Sequence, residues 1–144
     1  MTTDFRPVPD DFPGFPMPAS VPEGLQLQLS RAPLLSGAEA QFQDWMAMLH
    51  TRYDEALAAL PAERAVFEAT FTHTEPDGSV WIYHLGLVGS DSPGLDTSAP
   101  LGNAHLEHAM ATKHRGWEEL RPHFMITPPH LRKAMAHWGR TGEP

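Results

Sequence analysis

The sequence contains no cysteine, which excludes disulfide bonds, thiolate catalysis, Cys-ligated zinc and iron–sulfur clusters. It also lacks any apolar run close to the roughly 18 residues that would cross a bilayer. Its first residues, MTTDFRPVPDDFPGFPMP, do not place an apolar stretch after a basic one, as a signal peptide would. These absences predict a cytoplasmic protein with no membrane partner.

Basic residues are also scarce, with 10 Lys and Arg against 18 Asp and Glu, which leaves a formal net charge of −8. No run of Lys and Arg offsets this charge locally, so the surface would repel phosphate backbones. We therefore expect no nucleic-acid partner. A length of 144 residues with 41% hydrophobic residues suits one domain with its own core.

The first 24 residues are rich in proline, which fixes φ and removes a backbone donor, so we expect an extended arm there. Its Phe and Met side chains are consistent with an arm that wraps over a neighbouring surface. The same composition is equally consistent with a flexible tail. The predicted organisation is a Pro-rich extended arm over residues 1–24 and a single domain over residues 25–144.

Alternating apolar residues predict strands, and apolar residues spaced three and four apart predict helices. These patterns predict a strand over 24–30, a helix from Ser36 as N-cap to Pro61, a hairpin of strands 65–72 and 80–89, a helix over 103–115, a strand over 123–127 and a C-terminal helix after Pro129. This order is the ferredoxin-like βαββαβ arrangement, an α+β fold with a four-stranded antiparallel sheet and two helices on one face.

Alternation also divides the strand residues between two faces of the predicted sheet. One face is apolar and should meet the helices; it comprises Leu25, Leu27, Leu29, Phe67, Ala69 and Phe71. The other face is more polar and comprises Gln26, Gln28, Glu68 and Thr70. We expect two such polar faces to meet in a homodimer, which would cover them and enclose a lumen.

The segment WMAMLHTRYDEALAALPAERAVFEATF, residues 45–71, resembles the pattern of a family of small uncharacterised bacterial proteins in the dimeric α/β-barrel superfamily. The pattern is a Trp, then Arg and Glu on the following turns, then two glutamates around the start of a strand. Here these are Trp45, Arg52, Glu55, Glu63 and Glu68. The resemblance covers roughly residues 25–127 and implies a homodimer of ferredoxin-like domains.

A second segment, PLGNAH at 100–105, resembles the same family's Pro–Ile–Asp–x–x–His motif and places His105 on the family histidine. Gly102 stands where the family has Asp, so a pairing of that acid with the histidine is lost in this chain. Superfamily relatives include cofactor-free monooxygenases, haem enzymes, lactone isomerases and stress proteins, and the fold by itself chooses none of these functions.

Glu68 is the strongest candidate for a catalytic residue, because it interrupts an apolar and Thr-rich strand on the face expected to line the lumen. A carboxylate there is desolvated unless it is paired, so its pKa would rise towards the range that suits acid–base catalysis. The alternative is a structural ion pair with Arg52 or with a strand histidine.

Histidines supply the other candidate groups. His105, near the predicted helix start, is a second candidate base because a helix N-terminus favours neutral imidazole, and a solvated helix-end histidine is the alternative. His105 and His108 share a helix face and could join Glu68 in a metal site. His114 lies on the opposite side of that helix, however, and no metal-binding signature is present, so we expect no metal.

Together these residues predict an enzyme that acts on a small organic molecule, such as a natural product, without a cofactor. The reaction would be a proton transfer: isomerisation, cyclisation, or enolate formation followed by oxygenation. Tyr83 and His84 point to opposite faces, and one of them would line the lumen. The predicted catalytic residues are Glu68, His105, Tyr83 and His84, and the predicted substrate-binding residues are Arg52, Thr70, Gln28 and Trp81. The alternative is a non-catalytic protein that uses the same cavity to bind a small ligand or a partner.

Overall fold

Four antiparallel strands form one sheet in this computed structural model, which describes residues 14–112 and 117–144. The elements are, in chain order, β1 (Leu25–Pro33), α1 (Glu39–Thr51), α2 (Tyr53–Glu63), β2 (Ala65–Thr74), β3 (Val80–Gly89), α3 (Pro100–Thr112), β4 (Glu118–Leu120) and α4 (Pro129–Thr141). Across the sheet the strands lie in the order β2-β3-β1-β4. This α+β structure is compatible with the predicted ferredoxin-like arrangement, and α4 is the predicted additional C-terminal helix.

The pairing of β1 with β3 determines which side chains share a face, because directly opposite residues in a ladder point the same way. Ala32 pairs with Ile82. Ile82 is buried against Phe42 and Trp45 of α1 and Ala109 of α3. The even-numbered residues of β1 and β3 therefore lie under these helices, and we call this side of the sheet the helix face.

A β-bulge near the start of β2 changes the alternation of that strand. The bulge lies between Ala65 and Phe67 and makes Val66 the extra residue. Val66 and Phe67 consequently both pack into the apolar cluster on the side away from α1 and α3. From this point the even-numbered residues of β2, among them Glu68 and Thr70, lie on the helix face.

The opposite side of the sheet, which we call the outer face, is covered at one end by a second apolar layer. The buried cluster there consists of Val21, Leu25 and Leu87, and Met17 and Met135 pack against it. The described part of the Pro-rich arm and helix α4 thus form this layer. Met17 and Val21 of the arm therefore pack against the domain, and residues 1–13 lie outside the described residues.

The predicted assignment of the two faces to their covering layers is wrong. The apolar set of Leu25, Leu27, Leu29, Phe67, Ala69 and Phe71 lies on the outer face, whereas Gln26, Gln28, Glu68 and Thr70 lie on the helix face. The physical reason is that alternation separates two faces but does not say which of them a helix will cover. Here small and branched residues, Ala32 and Ile82, provide the contact with the helices.

Several predicted boundaries also change. The helix predicted over 36–61 is two helices that meet at Arg52, and Pro61 lies inside α2 instead of ending it. The N-cap of α1 is Ala38, which makes no side-chain capping hydrogen bond, so the cap predicted at Ser36 is wrong. The strand predicted over 80–89 is confirmed.

Towards the C-terminus, α3 begins at Pro100, earlier than predicted, and its described part ends at Thr112 because residues 113–116 are outside the described residues. The strand predicted over 123–127 is wrong, and the fourth strand is instead the short β4, whose Leu120 pairs with Leu29. In the described ranges, no helix has the length and apolar character needed to cross a membrane.

Helix α4 approaches the sheet so closely that backbone meets backbone. A Cβ atom added at Gly89 of β3 would lie 1.8 Å from the carbonyl oxygen of Gly139 in α4. A Cβ atom added at Gly139 would lie 2.0 Å from a methyl group of Leu25. The Trp138 indole nitrogen also donates a hydrogen bond of 2.8 Å to the Ala65 carbonyl oxygen. Glycine at both contact positions is therefore what allows α4 to form the second layer.

Gly89→Ala should destabilise the protein by about 1–3 kcal/mol, because the obstacle is a backbone carbonyl that cannot rotate away. Gly86→Ala in the same strand is the matched control, since its added Cβ would meet the Phe67 carbonyl oxygen at an ordinary 3.7 Å. Urea unfolding followed by tryptophan fluorescence measures both. Equal unfolding midpoints for the two variants would contradict this packing.

Candidate functional site

Polar side chains form a row across the helix face of the sheet. Ser30 of β1 is the direct neighbour of His84 of β3, and His84 is the direct neighbour of Thr70 of β2. On the other side, Ser30 pairs with Glu119 of β4. The Thr70 hydroxyl oxygen and His84 Nδ1 are 3.5 Å apart, at the limit of a hydrogen bond. Four polar groups are thus brought together on the side of the sheet that α1 and α3 cover.

Glu68 and Gln28 lie one step further along the same face. Both residues pair with Gly86, Gln28 from β1 and Glu68 from β2. Glu68 and Thr70 are two residues apart on one strand, which separates their Cα atoms by about 6.5–7 Å. The predicted residues Glu68, Thr70, Gln28 and His84 therefore do share one surface, although it is not the surface expected from the sequence.

The Glu68 carboxyl group is accessible but partly desolvated. Its side chain is exposed, yet the protein atoms that surround the carboxyl raise its pKa above the usual value for glutamate. Within the described residues it makes no hydrogen bond and no ion pair. Arg52, the predicted structural partner, instead makes a two-point contact with Glu55, with nitrogen–oxygen distances of 3.1 and 2.7 Å. The alternative prediction of an ion pair between Glu68 and Arg52 is therefore wrong.

A second carboxyl group reinforces this electrostatic environment. Burial, the charge of Glu68 and the charge of Asp96 raise the pKa of Glu63, the last residue of α2, to about 7. Asp96 itself is fixed by hydrogen bonds from the Ser98 hydroxyl and amide, which lower its pKa. The end of the helix face near Glu68 therefore carries negative charge that favours protonation of its acids.

His105 occupies a different position from the one expected. Because α3 begins at Pro100, His105 lies in the second turn of the helix, where the positive end of the helix dipole has little effect. The Trp45 indole nitrogen donates a hydrogen bond of 3.0 Å to His105 Nδ1. An indole N–H can only donate, so Nδ1 accepts and the neutral ring carries its proton on Nε2. His105 thus links α1 to α3, and its Nδ1 is not available as a base.

Close packing explains why position 102 is a glycine in this chain. A Cβ atom at Gly102 would lie 1.9 Å from the carbonyl oxygen of Asp96. The loop that precedes α3 therefore packs directly on this position, and any side chain would force the loop to move. In this chain His105 Nδ1 accepts its hydrogen bond from the Trp45 indole nitrogen.

Tyr83 and Trp81 lie on the outer face. Of Tyr83 and His84, it is therefore His84 that lies on the helix face with Glu68. The outer-face residues surround Arg31, whose guanidinium carbon is 4.3 Å from the centre of a Trp81 ring. Arg31 also contacts Glu118 at 2.8 and 2.7 Å and has the Tyr83 hydroxyl at 3.5 Å. This second cluster borders an open cleft of about 440 Å³ next to the hairpin turn.

Arg31 and Glu118 form part of this second cluster, although neither is among the site residues predicted from the sequence. The predicted first strand ended before Arg31, and Glu118 had no apolar alternation around it that would indicate a strand. Arg31 follows Leu25, Leu27 and Leu29 in the same alternation, and this was the signal that could have placed it on their face. Arg52, at the corner between α1 and α2, belongs to neither cluster.

No group of three or more His, Asp or Glu side chains in the described part of the chain is arranged to hold a metal ion. The site that would have combined His105 and His108 with Glu68 is therefore not formed by these residues. His108 lies on α3, where its carbonyl oxygen accepts a hydrogen bond of 2.7 Å from the Thr112 hydroxyl. His114 lies outside the described residues.

A family model matches residues 25–133, a range that includes both polar clusters. It describes a family of unknown function, DUF6176. The chain belongs to this family. A search of curated protein sequences finds no match. The predicted membership of an uncharacterised family is thus confirmed, and its placement in the dimeric α/β-barrel superfamily stays a prediction. The family supplies no activity that could be carried over, so any function has to be argued from the residues.

Proposed function

We propose that the protein is an enzyme that moves a proton on a small organic molecule, with Glu68 as the base and Thr70 and His84 as its neighbours. One observation supports this proposal above all: the Glu68 carboxyl group is accessible, has a raised pKa and has no partner among the described residues. A structural carboxylate would be expected to have a cation or hydrogen-bond donors around it.

The neighbouring groups supply the second half of the reaction. A carboxylate with a raised pKa is a stronger base than an ordinary glutamate, and it can return the proton as an acid. Thr70 and His84 lie on the same face as Glu68 and carry a hydroxyl group and an imidazole ring, whose oxygen and Nδ1 atoms are 3.5 Å apart. In the proposal they hold a substrate carbonyl oxygen while Glu68 removes the proton from the adjacent carbon. The resulting enolate is the common intermediate of the isomerisation, cyclisation and oxygenation expected from the sequence.

The remaining predicted site residues have other roles in this proposal. Gln28 lies on the same surface as Glu68 and can contact a substrate there. The Trp45–His105 hydrogen bond positions α1 relative to α3 above the sheet. Arg52, Tyr83 and Trp81 lie away from Glu68 and take no part in the proposed site. The chemistry uses the side chains alone and needs no cofactor.

Exchange of carbon-bound hydrogen in deuterated buffer tests the proposal without knowledge of the natural substrate. We expect the protein to accelerate exchange in at least one member of a panel of 1,3-diketones, β-keto esters and hydroxylated aromatic ketones, followed by proton NMR. Glu68→Gln should lower that rate by about 10²–10⁴-fold, the usual contribution of a positioned base. Its thermal stability should hold or rise, because no ion pair with a described residue is broken.

Glu39→Gln is the control, because Glu39 is an exposed glutamate in the first turn of α1. Full exchange activity in Glu68→Gln would contradict the assignment of the base. Saturable binding of a panel member without any exchange would favour the non-catalytic alternative, in which the same surface only holds a ligand.

We also propose that the protein is a homodimer in which the open parts of two outer faces meet. This replaces the dimer expected through the Glu68 face, because α1 and α3 cover that side. Phe71 of β2 is 54% exposed, and it pairs with Tyr83 of β3. Phe124 and Ile126 are exposed as well, at 69% and 76%. Exposed aromatic and aliphatic side chains are typical of a protein interface.

Phe71→Glu should convert the dimer into a monomer, since it would place a charge in the proposed contact. Leu57→Glu is the matched control, because Leu57 is a similarly exposed apolar residue, at 51%, on helix α2. Light scattering at micromolar concentration measures the mass. A monomeric wild-type protein, or a dimer that survives Phe71→Glu, would contradict this interface.

A further inference from the structure

We propose that a cleft between α4 and the turn before β1 binds a small phosphorylated anion. The cleft has a volume of about 330 Å³, a size that suits a small ligand. Its walls contain three cationic residues of α4, namely Arg132, Lys133 and Arg140, and one acidic residue, Glu23. The site is separate from Glu68 and does not depend on the proposed enzymatic reaction.

The periodicity of α4 directs its cations to this side of the helix. Arg132, Ala136 and Arg140 follow one another at intervals of four residues, so they share a face, and Lys133 adjoins it. A different side of the helix is occupied by packing, since Met135 joins the outer-face cluster and Gly139 is buried against Leu25. The docking of α4 on the sheet therefore presents the cations together along one wall.

Two of the cations are held in place by backbone carbonyl groups. Arg132 donates a hydrogen bond to the carbonyl oxygen of Ser20, and Arg140 donates through Nε and Nη2 to that of Glu23. The contact of Arg140 requires glycine at position 24, where an added Cβ atom would lie 2.9 Å from Arg140 Nε. A guanidinium group has five N–H donors, so both side chains retain donors after these contacts. Such fixed cations lose little conformational freedom when they bind a ligand.

Some described cations have a carboxylate partner, whereas Arg64, Arg121 and the cations of this cleft have none among the described residues. Arg31 contacts Glu118 and Arg52 contacts Glu55 in ion pairs. Within the described residues, Arg132, Lys133 and Arg140 make no ion pair with a carboxylate. This is notable in a chain with 18 Asp and Glu against 10 Lys and Arg. Three cations and one rim carboxylate leave an excess of positive charge that matches a phosphate group, whose oxygens accept the forked donors of arginine.

Inorganic pyrophosphate is the probe for this site, and ADP is a second arm that distinguishes a phosphate ester from free phosphate. We expect saturable amide shifts in nitrogen–proton NMR spectra, confined to α4 and residues 20–24, at near-physiological salt. Saturation by either compound supports the site. The compound that binds with the higher affinity shows whether the site prefers a free phosphate or a phosphate ester. Shifts that grow linearly without saturation for both compounds would overturn the proposal.

Variants separate a built site from general attraction to positive charge. Lys133→Gln should weaken binding by about tenfold, the usual effect of losing one charged hydrogen bond, without disturbing the contacts of Arg132 and Arg140. Ala136→Glu should abolish binding, because it places a carboxylate in the wall of the cleft while α4 keeps a good helix former. Arg121→Gln removes the same charge outside the cleft and should leave binding unchanged. Equal weakening by Lys133→Gln and Arg121→Gln would overturn the proposal.

Discussion

The β-bulge at Val66 is the local feature on which the placement of the candidate site depends. A strand alternates its side chains strictly, so one additional residue moves every later side chain to the opposite face. Val66 and Phe67 both enter the apolar layer beneath α4, and Glu68 is consequently directed to the helix face. If Val66 paired regularly with Leu87 and formed no bulge, Glu68 would lie opposite Leu85 on the apolar outer face.

The two faces of the sheet have different physical characters as a result. The helix face combines an apolar contact, from Ala32 and Ile82 to the helices, with a polar surface that includes Glu68. A carboxyl group next to this surface lowers stability: Glu63, whose pKa rises from 4.5 to about 7, binds its proton more tightly in the folded state than in the unfolded state. The contribution is therefore most favourable below about pH 4.5 and is lost as the pH rises through 7. Local instability of this kind is common where side chains serve a function other than packing.

Much of the fold could be predicted from periodicity, because the determinants are local. The alternation in VWIYHLGLVG and the turn EPDGS determine the hairpin, and β3 has the predicted limits Val80–Gly89. The layers could not be predicted in the same way. The leucines of β1 look like the contact surface for α1 and α3, but the arm and α4 supply a second apolar layer that competes for them. Short β4 has no alternation of its own, and its position is determined by its pairing with β1.

The candidate site shows the same division between local and distant determinants. Residue chemistry identified Glu68, Thr70, Gln28 and His84, because polar groups in otherwise apolar strands are conspicuous. Which strand residues meet across the sheet depends on register, and this decided between Tyr83 and His84. The Trp45–His105 hydrogen bond joins residues 60 positions apart, and the contact between Arg31 and Glu118 joins residues 87 apart. Contacts of such separation depend on the packed structure and have no signature in a single sequence.

The proposed reaction depends on a Glu68 carboxyl group that is partly desolvated and has no partner among the described residues. A carbon-13 NMR titration of the wild-type side-chain carboxyl groups measures this directly, with the spectrum of a Glu68→Gln variant to assign the resonance. The pKa of Glu68 should lie above the value of about 4.3 that is ordinary for glutamate. A pKa at or below that value would mean that a cation or hydrogen-bond donors stabilise the carboxylate, and it would contradict the role of Glu68 as the base.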